Sequence, residues 1–362
     1  MDSLIVARPA AGHAARRRVL GRLFRAVAGA ALASALHGCG GGGGGGNGAV
    51  PAPTPPGPSP APSPTPTPSG PIAAQMTVPT PVGYDLERLA AFNRLNEIRL
   101  SAGLGMVAQS TAMDQAAQAH ADWMVANDVF SHQEQAGTPG FTATDWSLRD
   151  EVFGYVPVGG AEVMAASGQA SAEVDALVNA LYHRAALLAF EPVDVGVGWS
   201  GGAAAHVAMP LVIDLTRPGT DTVRGWGQAA QDIIDGVAIW PLDGARNVPL
   251  RLGAENPNPV PAQDVSSLGT PVSLTVHETA SVTATTFVLK NASTGATVST
   301  RLLDSARDPN LLLPRSFIAI VPLDVLLPAT SYTASFTGTS TEVGANAPVP
   351  LSRVWTFTTS AH

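Results

Sequence analysis

The sequence of 362 residues is poor in thiols and in positive charge. It holds one cysteine, Cys39, so no disulfide can form within the chain. Lysine occurs once, at Lys290, and acidic residues outnumber basic ones by 28 to 20. Without residues 1–38, which carry six arginines and one acid, 14 basic and 27 acidic residues remain, a formal charge of −13. Phosphates would be repelled, which argues against nucleic-acid binding.

Other absences concern membranes and catalysis. After the N-terminal region no second long apolar segment appears, so nothing else is expected to span a membrane. The sequence contains no HExxH helix, no GxSxG elbow and no cysteine placed for catalysis. These absences favour a protein that is not an enzyme.

The N-terminus has the organisation of an export signal. Five arginines between residues 16 and 25 precede an alanine-rich apolar run at 26–36, which is too short for a permanent membrane span. The run ends in Leu36-His37-Gly38-Cys39, which resembles the lipobox of bacterial lipoproteins. The resemblance implies removal of residues 1–38, a lipid anchor on Cys39 and a location outside the cytoplasm, in the bacterial envelope. The alternative is an ordinary secretory signal cut nearby, with an incidental cysteine.

Residues 39–80 are predicted to be a disordered tether. The segment 40–48 is glycine apart from Asn47, and 51–71 consists mostly of proline, threonine and serine. At about 3.1 Å per residue, a polyproline-like spacer would hold the folded part some tens of Å from the membrane.

Residues 85–215 mix helical periodicity with strands, which predicts an α+β domain. Asp85 is expected to cap a first helix, and Ser110 or Thr111 a second one, with Asp114 completing a capping box. Ser171 is expected to cap a third helix. The alternating segments 193–199 and 205–215 are predicted to form a strand pair.

From residue 237 to 362 the helical pattern disappears, and 216–236 is interpreted as a connector. Five short β-branched or aromatic runs, separated by Asn, Gly, Pro and Asp, predict an all-β sandwich. The runs are Val272–Val276, Val282–Leu289, Phe317–Val321, Ser331–Phe336 and Val354–Thr358.

Four segments of the α+β domain stand in an order that resembles one protein family. They are LNEIRLSAGL (95–104), AMDQAAQAHADWMVANDVFSH (112–132), GGAEVMA (159–165) and YHRAALLAFEPVDVGVGW (182–199). Together they look like the cysteine-free bacterial branch of the CAP superfamily (cysteine-rich secretory, antigen 5 and pathogenesis-related proteins). The resemblance implies an α-β-α sandwich whose central cleft holds histidines and acids.

The resemblance also implies three site residues. His132 matches the histidine of the family's Phe-Ser-His, Glu162 the glutamate of Gly-Glu-Asn, and His183 the histidine of Gly-His-Arg. Leu181-Tyr182 replaces the family's Pro-Gly before His183, which predicts that the third helix continues where relatives turn. The family's second cleft glutamate has no match, because the aligned position lies near Ala180.

Two imidazoles and a carboxylate in one cleft could hold Zn²⁺ with an open fourth position. The alternative is a hydrogen-bonded polar cluster without metal. The three residues fit no local metal motif, so only the resemblance brings them together. His120, on the apolar face of its helix, is interpreted as a hydrogen-bonded core histidine, with a place in the cleft lining as the alternative.

The C-terminal part resembles bacterial immunoglobulin-like modules that end in a Trp-x-Phe-Thr-Thr strand, here Trp355-Thr356-Phe357-Thr358-Thr359. Such modules act as spacers or binding domains. Three functions follow as hypotheses. The favoured one is a membrane-tethered protein whose CAP cleft binds a metal ion or a small or lipid ligand. The others are a metal-assisted hydrolase acting on envelope or external polymers, and a non-catalytic adhesive or structural envelope protein.

Overall fold

A computed structural model describes residues 5–7, 74–166, 168–218, 236–345 and 347–362. The predicted lipid site Cys39, most of the leader, the tether up to residue 73 and connector residues 219–235 lie outside the described residues. Among the helices of the described ranges, none is long and apolar enough to cross a membrane. The α-helices are α1 Leu86–Ser101, α2 Thr111–Asn127, α3 Trp146–Val152, α4 Ala170–Asn179 and α5 Leu181–Leu187.

Residues 74–218 form what we call the α+β region. Together with the short segment β1 (Ile5–Ala7), its strands make one sheet in the order β1-β3-β5-β4-β2. Its own strands are β2 Ala108–Gln109, β3 Pro157–Ala166, β4 Asp194–Trp199 and β5 Pro210–Pro218. The sheet is mixed, because β2 and β4 run parallel whereas the other neighbours are antiparallel.

Helices cover both faces of this sheet. Successive strand residues point to opposite faces, so neighbouring residues of one strand pack against different helices. Val163 and Ile213 belong to a core that α1 and α4 close. Their neighbours Met164 and Val212 pack against α2 on the other side. The sheet is therefore buried on both faces, where a polar side chain either finds a partner or has its ionisation shifted.

The starts of α1 and α2 follow the predicted capping chemistry in part. The side chain of Asp85 accepts from the backbone N–H three residues on at 2.8 Å, which confirms the first cap. Ser110 caps α2, although its bond to the N–H of Met113 is long at 3.5 Å. The predicted capping box is wrong, because Asp114 instead accepts from the backbone N–H of Val197 in β4, at 2.9 Å.

The third predicted helix begins and ends differently from the prediction. It starts at Ala170, whose N–H donates to Glu87 of α1 at 2.8 Å, so Ser171 is not its cap. It does not continue toward His183, since Ala180 is extended (φ −85°, ψ 144°) and divides α4 from α5. The start and the end of α4 therefore depend on contacts with residues outside the helix, which its periodic sequence pattern does not reveal.

The predicted strand pair at the end of the α+β region is present. β4 and β5 are antiparallel, with Val197 opposite Ile213. β5 begins at Pro210 and not at 205, because the intervening chain closes on itself through an Ala203–Ala208 bridge.

Residues 236–362 form the β region, which contains all five predicted strands. Two four-stranded sheets have the orders β10-β11-β8-β6 and β7-β13-β12-β9. All neighbours are antiparallel except β7 and β13. The strands are β6 Ala238–Trp240, β7 Ala245–Val248, β8 Val272–Thr275, β9 Ala280–Asn291, β10 Thr300–Leu303, β11 Phe317–Pro322, β12 Ser331–Glu342 and β13 Val349–Thr359. An α+β part followed by an all-β part is therefore confirmed.

The two sheets of the β region share one core, and β11 also faces a second one. Ile318 and Ile320 point between the sheets toward Phe336 and Trp355. The alternate residues of β11 point outward and are equally buried. Leu181, Tyr182 and Ala185 of α5 pack there against Leu252, Val260, Leu268, Leu303, Leu313, Phe317, Ala319 and Val321. Helix α5 is thus buried between the α+β region and the β region.

Candidate functional site

A buried carboxylate in the sheet is the centre of the candidate site. Glu162 lies in the middle of β3, is 0% exposed, and stands directly opposite Asp214 of β5. Side chains at such cross-strand positions lie about 4.5–5.5 Å apart at Cβ. The two acids therefore share one patch of the sheet, on the face that α2 covers.

His132 reaches Glu162 from the loop after α2. The helix ends at Asp128, which adopts the left-handed conformation (φ 54°) that terminates helices. The loop then places His132 Nδ1 2.5 Å from Glu162 Oε1. The other ring nitrogen, Nε2, is buried without a hydrogen-bond partner. The His132 side chain as a whole is 7% exposed.

Arg149 on α3 holds the second oxygen of Glu162. Its Nη2 donates to Glu162 Oε2, and its Nη1 donates to the backbone oxygen of His132 at 3.1 Å. Burial raises the pKa of Glu162, but the charge of Arg149, with smaller contributions from His120 and His132, outweighs it and holds the pKa well below the usual range. Both oxygens of Glu162 are therefore engaged, and the carboxylate is ionised.

Two further acids near Glu162 have pKa values that are raised instead of lowered. Asp150 and Asp214 are each 0% exposed, and no hydrogen-bond donor meets their carboxyl oxygens. Burial and the charge of Glu162 raise the pKa of Asp150 to about 8. Burial and the charges of Asp150 and Glu162 raise the pKa of Asp214 well above its usual range. The three neighbouring acids therefore differ in their electrostatics, since the pKa of Glu162 is held down while those of Asp150 and Asp214 are raised.

His120 belongs to the same buried centre. Its Nδ1 lies 3.0 Å from Glu134 Oε1, its Nε2 lies 2.9 Å from the oxygen of Ser131, and its ring stacks on Trp123. Both facing atoms are acceptors, so a ring that carries both protons satisfies the geometry. Burial opposes this state by lowering the pKa of His120. With both nitrogens engaged, His120 has no free atom to offer a ligand.

His183 is 0% exposed and pairs with an acid outside the CAP-like segments. Its Nδ1 lies 2.7 Å from Oε1 of Glu255, in the β region. The second oxygen of Glu255 accepts from the backbone N–H of Tyr182 at 2.9 Å, which caps α5 in the absence of a local side-chain cap. The Tyr182 hydroxyl donates to Asp308 at 2.5 Å. The residues that replace the family's Pro-Gly therefore attach α5 to the β region.

The arrangement of His132, Glu162 and His183 gives no support to the zinc hypothesis. Among the described residues, no group of three or more His, Cys, Asp or Glu is arranged to hold a metal ion. Glu162 has given one oxygen to His132 and the other to Arg149, so it has no free oxygen for a metal ion, and His183 is paired through Nδ1 with Glu255. The Nε2 atoms of His132 and His183 are both buried without a hydrogen-bond partner, and two imidazole nitrogens alone are too few ligands for zinc.

Sequence reasoning missed most of the partners in this site. They are Glu134, Arg149, Asp150, Asp214 and Glu255. A signal was present at Asp214, an acid within the apolar strand segment Leu211–Leu215, since buried charges rarely occur without a partner. Glu255 lies in a proline- and asparagine-rich loop whose sequence carries no comparable signal.

Comparison with known proteins assigns the first of the two regions. Residues 92–207 match the sequence profile of CAP, the cysteine-rich secretory protein family. This part of the chain is a CAP domain, and the matched range includes His132, Glu162 and His183. None of the curated proteins matches the chain.

Two solved structures show a partial likeness. One is an extracellular protein containing an SCP domain from Bacillus anthracis, 23% identical with a TM-score of 0.30. That match covers 36% of this chain and 40% of the other, so the chain spans less than half of that protein. The second is an outer surface protein of Borrelia burgdorferi, 16% identical with a TM-score of 0.30, covering 36% of this chain and 92% of the other.

Proposed function

We propose that this chain is an exported, lipid-anchored CAP-domain protein that binds a small or lipid ligand outside the cytoplasm without catalysing a reaction. The observation that carries the proposal is the state of the His132–Glu162 pair. Every polar atom of the two side chains is engaged except His132 Nε2, which is buried without a hydrogen-bond partner. A ring nitrogen held by a carboxylate on its other side is oriented to form one defined hydrogen bond.

The same geometry disfavours the alternatives that depend on zinc. A metal-assisted hydrolase needs a metal with an open position and a base able to reach the bound water. Here Glu162 is paired with Arg149, so it is not available as a general base. The adhesive alternative concerns the β region, for which the immunoglobulin-like assignment is also our proposal, supported by its two packed four-stranded sheets.

Anchoring is tested through Cys39. In a bacterial host the unaltered chain is expected to incorporate labelled palmitate and to sediment with membranes. Cys39→Ala is expected to lose the label and to appear in the soluble extracytoplasmic fraction. Unlabelled wild-type chain, or equal membrane association of both chains, would exclude the lipid anchor.

Binding is tested through His132. Titration with phospholipid vesicles and with zinc is compared in a Cys39→Ser background, which removes the anchor, for the otherwise unaltered chain, His132→Ala and the control His206→Ala, whose imidazole is 81% exposed. We expect lipid binding that His132→Ala weakens at least tenfold and His206→Ala leaves unchanged, and no stoichiometric zinc site. Zinc uptake that disappears in His132→Ala would restore the metal hypothesis. Lipid binding equal in all three chains would remove His132 from the site.

A further inference from the structure

The edge of the sheet next to Glu162 is paired with a segment from the far N-terminus. β1 (Ile5–Ala7) runs antiparallel to β3, with Ile5 opposite Met164 and Ala7 opposite Glu162. On its other side β3 is paired with β5 along most of its length. β1 also lies beside α5. An extended backbone therefore fits between this helix and the free side of β3.

Under the export function proposed above, β1 belongs to the leader that is removed. Its loss leaves β3 as an edge strand, with backbone N–H and C=O groups of residues 162–164 that lack a ladder partner. β3 is ten residues long, and its residues 161–165 are buried. Long edges with apolar residues are normally covered or blunted, because unpaired backbone groups pair readily with another extended chain.

We propose that in the processed protein this edge of β3 binds an extended apolar peptide segment of another protein by strand addition. The occupant is antiparallel to β3 and takes the place of β1. Main-chain hydrogen bonds supply the affinity in this mode of recognition, with side-chain pockets at alternate positions. The proposal rests on the proposed export and is independent of a ligand at His132 Nε2.

The probe is a fluorescent peptide with the sequence of residues 2–9, Asp-Ser-Leu-Ile-Val-Ala-Arg-Pro. Binding is measured by anisotropy to three proteins: the processed lipoprotein in detergent, the unaltered full chain, and the full chain with Val6→Pro and Ala7→Pro. Two consecutive prolines must remove one N–H that faces β3, because N–H groups of a strand alternate in direction. A chain with Ala10→Pro and Ala11→Pro, beyond β1, is the matched control.

We expect the processed protein and the Val6→Pro, Ala7→Pro chain to bind the peptide at least tenfold more tightly than the unaltered and control chains. Peptides N-methylated at residue 6, or at residues 5 and 7, lack backbone N–H groups on one side of the strand or on the other, and they test directly for hydrogen bonds to β3. One of the two is expected to lose binding at least tenfold and the other to keep it. Loss in both, or in neither, would overturn strand addition.

A peptide of unrelated sequence, Thr-Val-Thr-Ile-Val-Thr-Val-Thr, tests the source of the occupant. It is expected to bind within tenfold of the first peptide, since the ladder is formed by backbone. Binding restricted to the leader sequence would overturn a partner from another protein. If the chain is not processed in the host, the proposed export fails, and the proline-substituted full chain still tests the β3 edge.

Discussion

Glu255→Ala is expected to destabilise both regions of the protein together. Glu255 is 7% exposed, caps α5 through the N–H of Tyr182, and accepts from His183 Nδ1. Loss of a helix N-cap costs about 1 kcal/mol. Loss of a hydrogen bond that involves a charged group costs about 2 kcal/mol more. Together these losses should lower the free energy of unfolding by about 3 kcal/mol. The substitution also removes the cost of burying a carboxylate, which would bring the loss closer to about 2 kcal/mol.

The assay is denaturant unfolding of the full chain in a Cys39→Ser background. Tryptophan fluorescence reports both regions, because Trp123 and Trp146 lie in one and Trp355 in the other. A single transition is expected before and after the substitution, because α5 shares its core with the β region. The exposed Asp324→Ala serves as control and is expected to change stability by less than about 0.5 kcal/mol. A loss below about 1 kcal/mol, or a β region that unfolds separately and unchanged, would refute the role of Glu255.

Three further substitutions test the packing and the charges of the CAP domain. Asp150 has a raised pKa of about 8, so between about pH 4 and that value the folded state binds more protons than the unfolded state, and stability should fall as the pH rises through this range. Asp150→Asn is expected to flatten this slope in unfolding curves taken at several pH values, and an unchanged slope would contradict the assignment. Arg149→Met leaves Glu162 buried without its cation and should cost about 3–5 kcal/mol; a near-neutral result would mean that Glu162 is protonated. Gly198→Ala places a Cβ 2.2 Å from the backbone of Ala117 and should lower stability by about 1–3 kcal/mol or more. The loss is measured by thermal unfolding, and a neutral result would show that α2 can move away from β4.

Much of the fold could be predicted from local sequence patterns. The cap at Asp85, the β4–β5 pair and the five runs of the β region are properties of segments of about ten residues, where periodicity and capping chemistry act. The errors share one cause. Ser171 and the continuous third helix were wrong because Glu87 meets the start of α4 and Glu255 meets the start of α5, and both partners are distant in sequence.

The residues of the candidate site could also be predicted only in part from the sequence. The resemblance to the CAP family selected His132 and Glu162, and the structure brings these two together. It also selected His183, which instead contacts the β region. Arg149, Asp150 and Asp214 could not be assigned, because their ionisation depends on burial and on one another's charges, and both are set only after the sheet and α3 have packed.

The sequence by itself determined the α+β part, the all-β part, the acidic character and the predicted export signal, since these follow from composition and short-range periodicity. The tertiary structure alone decided that Glu162 is saturated by His132 and Arg149, and that α5 is capped across the boundary between the regions. A carboxylate has two oxygens and satisfies whichever donors packing brings to them. Whether donors 13 and 30 residues away in the chain arrive there is a property of the fold and not of the segment.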